Sequence, residues 1–145
     1  MPNHVTVSET TETTIGLKWD VVETATSYIV TQNGTIIGTP AEPAFTATVL
    51  TPGATYTYEI QTVNATGESQ KAVFTWISRP AAPDGVVTVP EAYQADVTWA
   101  TVNGAAQYII EDGDTELYRG SDTRATLTGL SDGKTYQFTI RAENA

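Results

Sequence analysis

Leu50-Thr51-Pro52-Gly53-Ala54-Thr55-Tyr56-Thr57-Tyr58-Glu59-Ile60-Gln61-Thr62-Val63-Asn64 decides the fold, because its plan returns as Leu130-Ser131-Asp132-Gly133-Lys134-Thr135-Tyr136-Gln137-Phe138-Thr139-Ile140-Arg141-Ala142-Glu143-Asn144. Working outward from this pair, residues 1–65 lie over 81–145 without a gap at an offset of 80. Trp19 then meets Trp99 and Tyr28 meets Tyr108, among 16 identities in 65 positions. Unrelated chains of this composition would share roughly 4, so the repeat is real. The 145 residues read as two modules, 1–79 and 80–145, each able to bury one modest core.

Short segments rich in Val, Ile, Thr and Tyr alternate with Gly, Pro, Asn and Asp about every ten residues, the pattern of an all-β sandwich. In the first module strands are expected at His4–Ser8, Thr14–Trp19, Ser27–Gln32, Thr35–Thr39, Phe45–Val49, Thr55–Asn64 and Gln70–Ile77. Period-two alternation turns Ile15, Leu17 and Trp19 inward with Tyr56, Tyr58 and Ile60; their counterparts are Ala95, Val97, Trp99, Tyr136, Phe138 and Ile140. Asn33-Gly34 is a two-residue hairpin signal, since both residues accept positive φ, and Gly113-Asp114 holds the aligned place. Ser78 to Asp84, with two prolines, reads as a stiff linker that favours an end-to-end spacer geometry.

A Trp on the second strand, Ser27-Tyr28-Ile29-Val30 on the third, and the quoted Leu50 to Asn64 stretch together resemble the fibronectin type III pattern, and the second copy repeats them in the same order and spacing. The resemblance implies two immunoglobulin-like sandwiches in tandem. It also implies roles. Leu50 and Leu130 would anchor a loop crossing between sheets, Gly53 and Gly133 would supply its turn, and Tyr56 and Tyr136 would form tyrosine corners.

The copies differ at one place. Thr66 to Arg79 supplies a turn and a last strand with Phe74 and Trp76, whereas no counterpart follows Asn144-Ala145. The strand Tyr136–Asn144 is therefore expected at a sheet edge with unpaired backbone groups. Two explanations stand: a trimmed chain or proteolytic product, or a neighbouring chain that supplies the strand by β-augmentation. The interaction residues of this edge would be Tyr136, Phe138, Ile140, Arg141 and Asn144.

Composition excludes several partner classes. A net charge of −10, divided as −4 over residues 1–79 and −6 over residues 80–145, repels phosphate backbones and anionic lipid, which argues against nucleic acid and membrane. No apolar run nears the roughly 20 residues of a membrane span. The opening MPNHVTVSE is not a basic and apolar signal sequence; a removed signal, or synthesis without one, is expected. Without cysteine there is neither a disulfide framework nor a Cys-based metal site.

Chemistry is equally sparse. His4 is the single histidine, so a His-based triad has no second candidate, and no phosphate-binding or dinucleotide motif occurs. Asp20, Glu23, Glu111 and Asp112 are the acids a two-carboxylate mechanism would draw on, but they fall on loops and strand surfaces. Asp112-Gly113-Asp114-Thr115-Glu116 offers oxygen ligands without a calcium loop's spacing and reads as an acidic hairpin. Arg119-Gly120-Ser121-Asp122 resembles the adhesive Arg-Gly-Asp tripeptide with its acid displaced by one residue. Asn33-Gly34-Thr35 and Asn64-Ala65-Thr66 match the glycosylation sequon. Trp76, Tyr93 and Tyr118 are the aromatics left for a carbohydrate platform, and they do not align as a set.

The expectation is a protein that is not an enzyme and needs no cofactor. It would be a spacer and interaction module of a larger extracellular or surface protein, with other protein domains or chains as partners and carbohydrate as the weaker choice. The resemblance brings secreted carbohydrate-active enzymes as the usual setting. The alternative is a structural subunit of a phage virion or extracellular filament.

Overall fold

The computed structural model describes residues 1–145, which divide into two compact units, Met1–Ser78 and Arg79–Ala145. Every regular element is a strand, and no helix is long and apolar enough to cross a membrane. In the first unit β1 (Thr6–Thr10), β2 (Ile15–Lys18) and β5 (Ala44–Ala47) form one antiparallel sheet in the order β1-β2-β5. The second sheet runs β4 (Thr35–Gly38), β3 (Ser27–Gln32), β6 (Thr55–Asn64), with β7 (Gly67–Glu68) and β8 (Ala72–Ile77) both on the far side of β6. The second unit repeats this as β9 (Val87–Glu91), β10 (Gln94–Thr98) and β13 (Arg124–Thr128) in one sheet. Its other sheet holds β12 (Thr115–Gly120), β11 (Gln107–Asp112) and β14 (Phe138–Glu143). Each unit is thus a two-sheet antiparallel β-sandwich, the second following the first along the chain.

The alternating faces read from the sequence make both cores. Ile15, Leu17 and Trp19 meet Tyr28, Val30, Tyr58 and Ile60 in the first; Val97 and Trp99 meet Tyr108, Ile110 and Leu127 in the second. Each tryptophan packs edge-on to its tyrosine, at 5.2 Å for Trp19–Tyr28 and 5.5 Å for Trp99–Tyr108. In both units the tyrosine hydroxyl then accepts an upstream amide, Val22 onto Tyr28 and Val102 onto Tyr108. A large ring is thus buried without stranding its polar tip.

Several strand limits move, each for a local reason. β1 begins at Thr6 rather than His4, whose φ is 47°, because pairing with β2 starts at Thr6 opposite Lys18. β5 ends at Ala47 because Val49 turns to φ 60°. The last strand of the unit starts at Ala72 rather than Gln70, since Ser69 bonds Thr62 with both its amide and its hydroxyl and so ends the β7 ladder. The hairpins are where the turn residues place them, with Asn33 at φ 49°, Gly34 at φ 82° and Gly113 at φ 60°.

β9 breaks the parallel between the copies. Val7 pairs with inward Leu17, and a bulge follows before Glu9. In β9 the register is regular and pairs Thr88 with inward Val97, so Val87 and Val89, aligned one module on, share the solvent side with Thr98 and Asp96. A one-residue change of phase inverts every side chain of a strand. Val87 and Val89 are both more than half exposed, and the rest of β9, Thr88 included, is exposed as well.

Candidate functional site

Both tyrosine corners form. The Thr51 amide donates to the Tyr56 hydroxyl and the Ser131 amide to the Tyr136 hydroxyl, each at 2.7 Å. These bonds hold the Tyr136 hydroxyl below the usual tyrosine range, because donation from Ser131 favours the phenolate. Beyond the corner the units diverge. β6 is flanked by β3 and β8, whereas β14 is flanked by β11 alone.

The five residues expected on this edge are not all in the strand. The β11–β14 ladder runs from Gln107 opposite Glu143 to Asp112 opposite Phe138, so Tyr136 precedes β14 and Asn144 follows it. In the first unit β8 supplies the missing pairing. Ile77, Trp76 and Thr75 pair with Thr55, Tyr56 and Thr57, which extends β6 by three residues before β3 is reached. Without such a neighbour, Thr135 to Gln137 have no ladder to join.

The burial of Tyr136 and Phe138 also departs from expectation. Their counterparts Tyr56, Tyr58 and Ile60 are buried, but Tyr136, Phe138 and Ile140 are only half-buried. Phe74 and Trp76 make the difference by packing onto the first core. In the second unit the Tyr136 and Phe138 rings lie on one another instead, 5.6 Å apart and 16° from parallel, with the Lys134 Nζ 4.5 Å from the Tyr136 centroid.

Arg141 points to the other face of β14 and belongs to a charged network that the sequence reading missed. Arg119 binds Glu116 at 2.8 Å and Glu143 at 3.1 Å; Arg141 binds Glu111 at 3.3 Å and also Glu143, which takes a further bond from Gln107 at 2.8 Å. Arg119 and Arg141 flank fully buried Ile109 in the ladders, so their aliphatic stems shield it from solvent. Hydrogen bonds from Arg141 and Gln107 hold the Glu143 carboxyl below its ordinary range, and Arg119 does the same for Glu116. The signal was present as charges at period two, Glu111 on β11 and Arg141 with Glu143 on β14.

The remaining candidates are drawn into structure. Glu116, the last acid of the possible calcium segment, and Arg119 of the adhesive-like tetrapeptide bind one another. His4 meets Asp20 at 2.5 Å on the surface, and the bond to Asp20 raises the imidazole above its ordinary range. Of the other acids, Glu111 is held by Arg141, while Glu23 is exposed. Asn33 accepts the Thr57 amide and Asn64 the Thr66 amide, so both sequon asparagines stabilise turns. Two of the three aromatics considered for carbohydrate are not surface groups: Trp76 packs on the first core and Tyr118 lies against Trp99 at 5.9 Å. Tyr93 is 65% exposed. A cleft of about 240 Å³ in the first unit, lined by Ile37, Phe45 and Gln32 among others, is smaller than the ~300–1,000 Å³ of most ligand pockets.

Comparison with known proteins agrees with this architecture. A poly(3-hydroxybutyrate) depolymerase of Ralstonia pickettii is 40% identical over 70 residues, covering 48% of this chain and 14% of that protein. Exoglucanase B of Cellulomonas fimi is 26% identical over an alignment of 155 residues, covering 95% of this chain and again 14% of the relative. The chain thus spans a small part of the relatives it matches. Among solved structures, the two fibronectin type III domain segment of chicken tenascin superposes with a TM-score of 0.50 at 23% identity, covering 99% of this chain and 91% of that one. Residues 1–76 match the family described as fibronectin type III domain, and the chain belongs to that family.

Proposed function

We propose that the chain is a non-catalytic spacer and protein-interaction segment of a larger extracellular enzyme that degrades a polymer. The observation that carries the reading is where the residues shared by the two copies are used. Trp19 and Trp99, Tyr28 and Tyr108, and Tyr56 and Tyr136 all serve cores and corners. The outward faces, by contrast, share little: the charged network around Ile109 has Thr31, Glu59 and Lys71 at the matching region of the first unit. Selection for a scaffold repeats the core and lets the surface vary. The relatives support the setting, since a depolymerase and an exoglucanase each contain a stretch like this one within a much longer chain.

The test has two arms. Residues 1–145 are incubated with poly(3-hydroxybutyrate), cellulose and chitin, and soluble products are measured; no turnover is expected. The coding sequence on both sides is then read for a hydrolase domain. Turnover by the chain alone would overturn the non-catalytic reading, and neighbouring reading frames without any enzyme domain would overturn the setting.

A further inference from the structure

β5 is an open sheet edge in the middle of the chain. It ends its sheet and pairs with β2 alone. The Trp19 amide donates to the Pro43 carbonyl, and bonded and non-bonded pairs alternate along an antiparallel ladder. Residues 43, 45 and 47 therefore turn their main-chain groups towards β2, while the amides and carbonyls of Ala44 and Thr46 point away from the sheet. Proteins usually guard such an edge with a charge, a proline or a bulge. The segment Ala44-Phe45-Thr46-Ala47-Thr48-Val49-Leu50 has no charge and no proline, and the register of β5 with β2 is regular. In the second unit β13 opens on Arg124, aligned with Ala44.

The inner side of this edge is shaped as well. Phe45 and Ala47 pair with inward Leu17 and Ile15, so both project between the sheets, and they line the cleft of about 240 Å³ together with Ile37 and Gln32. The Phe45 ring rests against Gly38, where any Cβ would strike it. A cavity of about 150 Å³ suffices for benzene, so the recess has room for one further phenyl ring. The aligned pair in the second unit is Tyr118 and Ala125, with Tyr118 laid on Trp99; β13 thus carries no ring at the place of Phe45.

We propose that β5 pairs with β5 of a second copy of the chain, antiparallel about a two-fold axis at Thr46, to make one continuous six-stranded sheet. Thr46 exchanges both main-chain hydrogen bonds with its counterpart. Phe45 then lies opposite Ala47 of the second copy, and each copy's phenyl ring enters the other's recess, a large side chain against a small one at both places. A two-fold contact needs a surface that complements itself, and Phe45 and Ala47 on either side of Thr46 provide one. Strand addition supplies hydrogen bonds but little area, below the ~1,200 Å² of a standard interface, so the dimer is weak, with a dissociation constant of about 0.1–1 mM. The net charge of −10 on each copy opposes the approach, and salt that screens it strengthens the pairing.

The test is sedimentation equilibrium of the full 145-residue chain from micromolar to millimolar concentration, at low and at high salt, with nitrogen-15 spectra of the same samples. Expected are a monomer–dimer equilibrium that tightens severalfold in high salt, concentration-dependent shifts at residues 44–48, and slowed hydrogen exchange at the Thr46 amide. Thr46 is exposed, so Thr46→Lys leaves the core intact and sets two like charges opposite one another on the axis; it should weaken the dimer at least about tenfold. Thr126→Lys, the aligned change on β13, should leave association unaltered. The proposal is overturned by a chain that stays monomeric at millimolar concentration in high salt, by equal association of Thr46→Lys and the parent chain, by shifts centred on β13 or β14, or by an association that salt weakens.

Discussion

Replacing Tyr58 with Phe should stabilise the first unit. Tyr58 is fully buried, and its hydroxyl oxygen has no hydrogen-bond partner. A buried polar group left unpaired costs about 1–3 kcal/mol, while its apolar isostere carries no such penalty. The second unit holds Phe138 at the aligned position, which shows that the fold accepts the ring without the hydroxyl. Removing one oxygen from a packed ring leaves little void, so a net gain of roughly 1–2 kcal/mol is expected for Tyr58→Phe. For a domain of this size each kcal/mol moves the melting temperature by about 4–8 °C.

The same burial gives an independent signature at high pH. It pushes the Tyr58 hydroxyl from 10 up to about 12, desolvation being the main cause and neighbouring Tyr56 the lesser. Between these values the unfolded chain releases the Tyr58 proton and the folded chain retains it. The contribution of this group is therefore intact below pH 10 and falls away as pH rises towards 12, a loss of roughly 2–3 kcal/mol. Calorimetry of wild type and Tyr58→Phe at pH 7 and across pH 9–12 measures both effects. The reasoning fails if the substitution lowers the midpoint at pH 7, or if the alkaline loss of stability is as steep in the variant as in wild type.

Val49→Gly should also stabilise the first unit, by about 0.5–1 kcal/mol. A β-branched residue at φ 60° is strained by roughly 1–2 kcal/mol, less the ~0.4–1 that glycine loses in unfolded-chain entropy. Val49 is 91% exposed and the aligned residue is Gly129 at φ 75°, so little burial is forfeited, and a lower denaturation midpoint would count against the account. Trp99→Ala should remove about 3–5 kcal/mol and melt the second unit first, leaving one remaining calorimetric transition from the first; an unaltered thermogram would refute the sandwich core. His4 should titrate above its ordinary value because the bond to Asp20 favours the imidazolium, and Asp20→Asn should bring it back. Any stability this pair adds is present at acid pH and lost as pH rises through the raised pKa; an imidazole NMR titration identical in wild type and variant would refute the contact.

Much of this architecture was legible because it depends on local, repeated constraints. Alternation placed Ile15, Leu17 and Trp19 on the buried side, Asn33-Gly34 placed a hairpin, and Leu50 through Tyr56 placed a corner whose bond to Thr51 is as expected. The edge was legible through a comparison of the two copies. Its details were not, since Tyr136 follows the pattern of Tyr56 and yet sits outside a strand and only half-buried. Alternation reports which face a residue prefers, not whether anything arrives to cover that face.

The repeat, the all-β character, the inward faces and the corner tyrosines follow from the order of residues, because each depends on backbone geometry and on neighbours a few positions away. Contacts between distant strands set the rest. The bulge in β1 and the regular register of β9 give Val7 and Val87 opposite faces, and the stems of Arg119 and Arg141 shield Ile109. The one-sided pairing of β14 leaves Tyr136 and Phe138 stacked on each other. Each outcome depends on what lies across the sheet, and a chain position carries no record of its neighbour until the strands have paired.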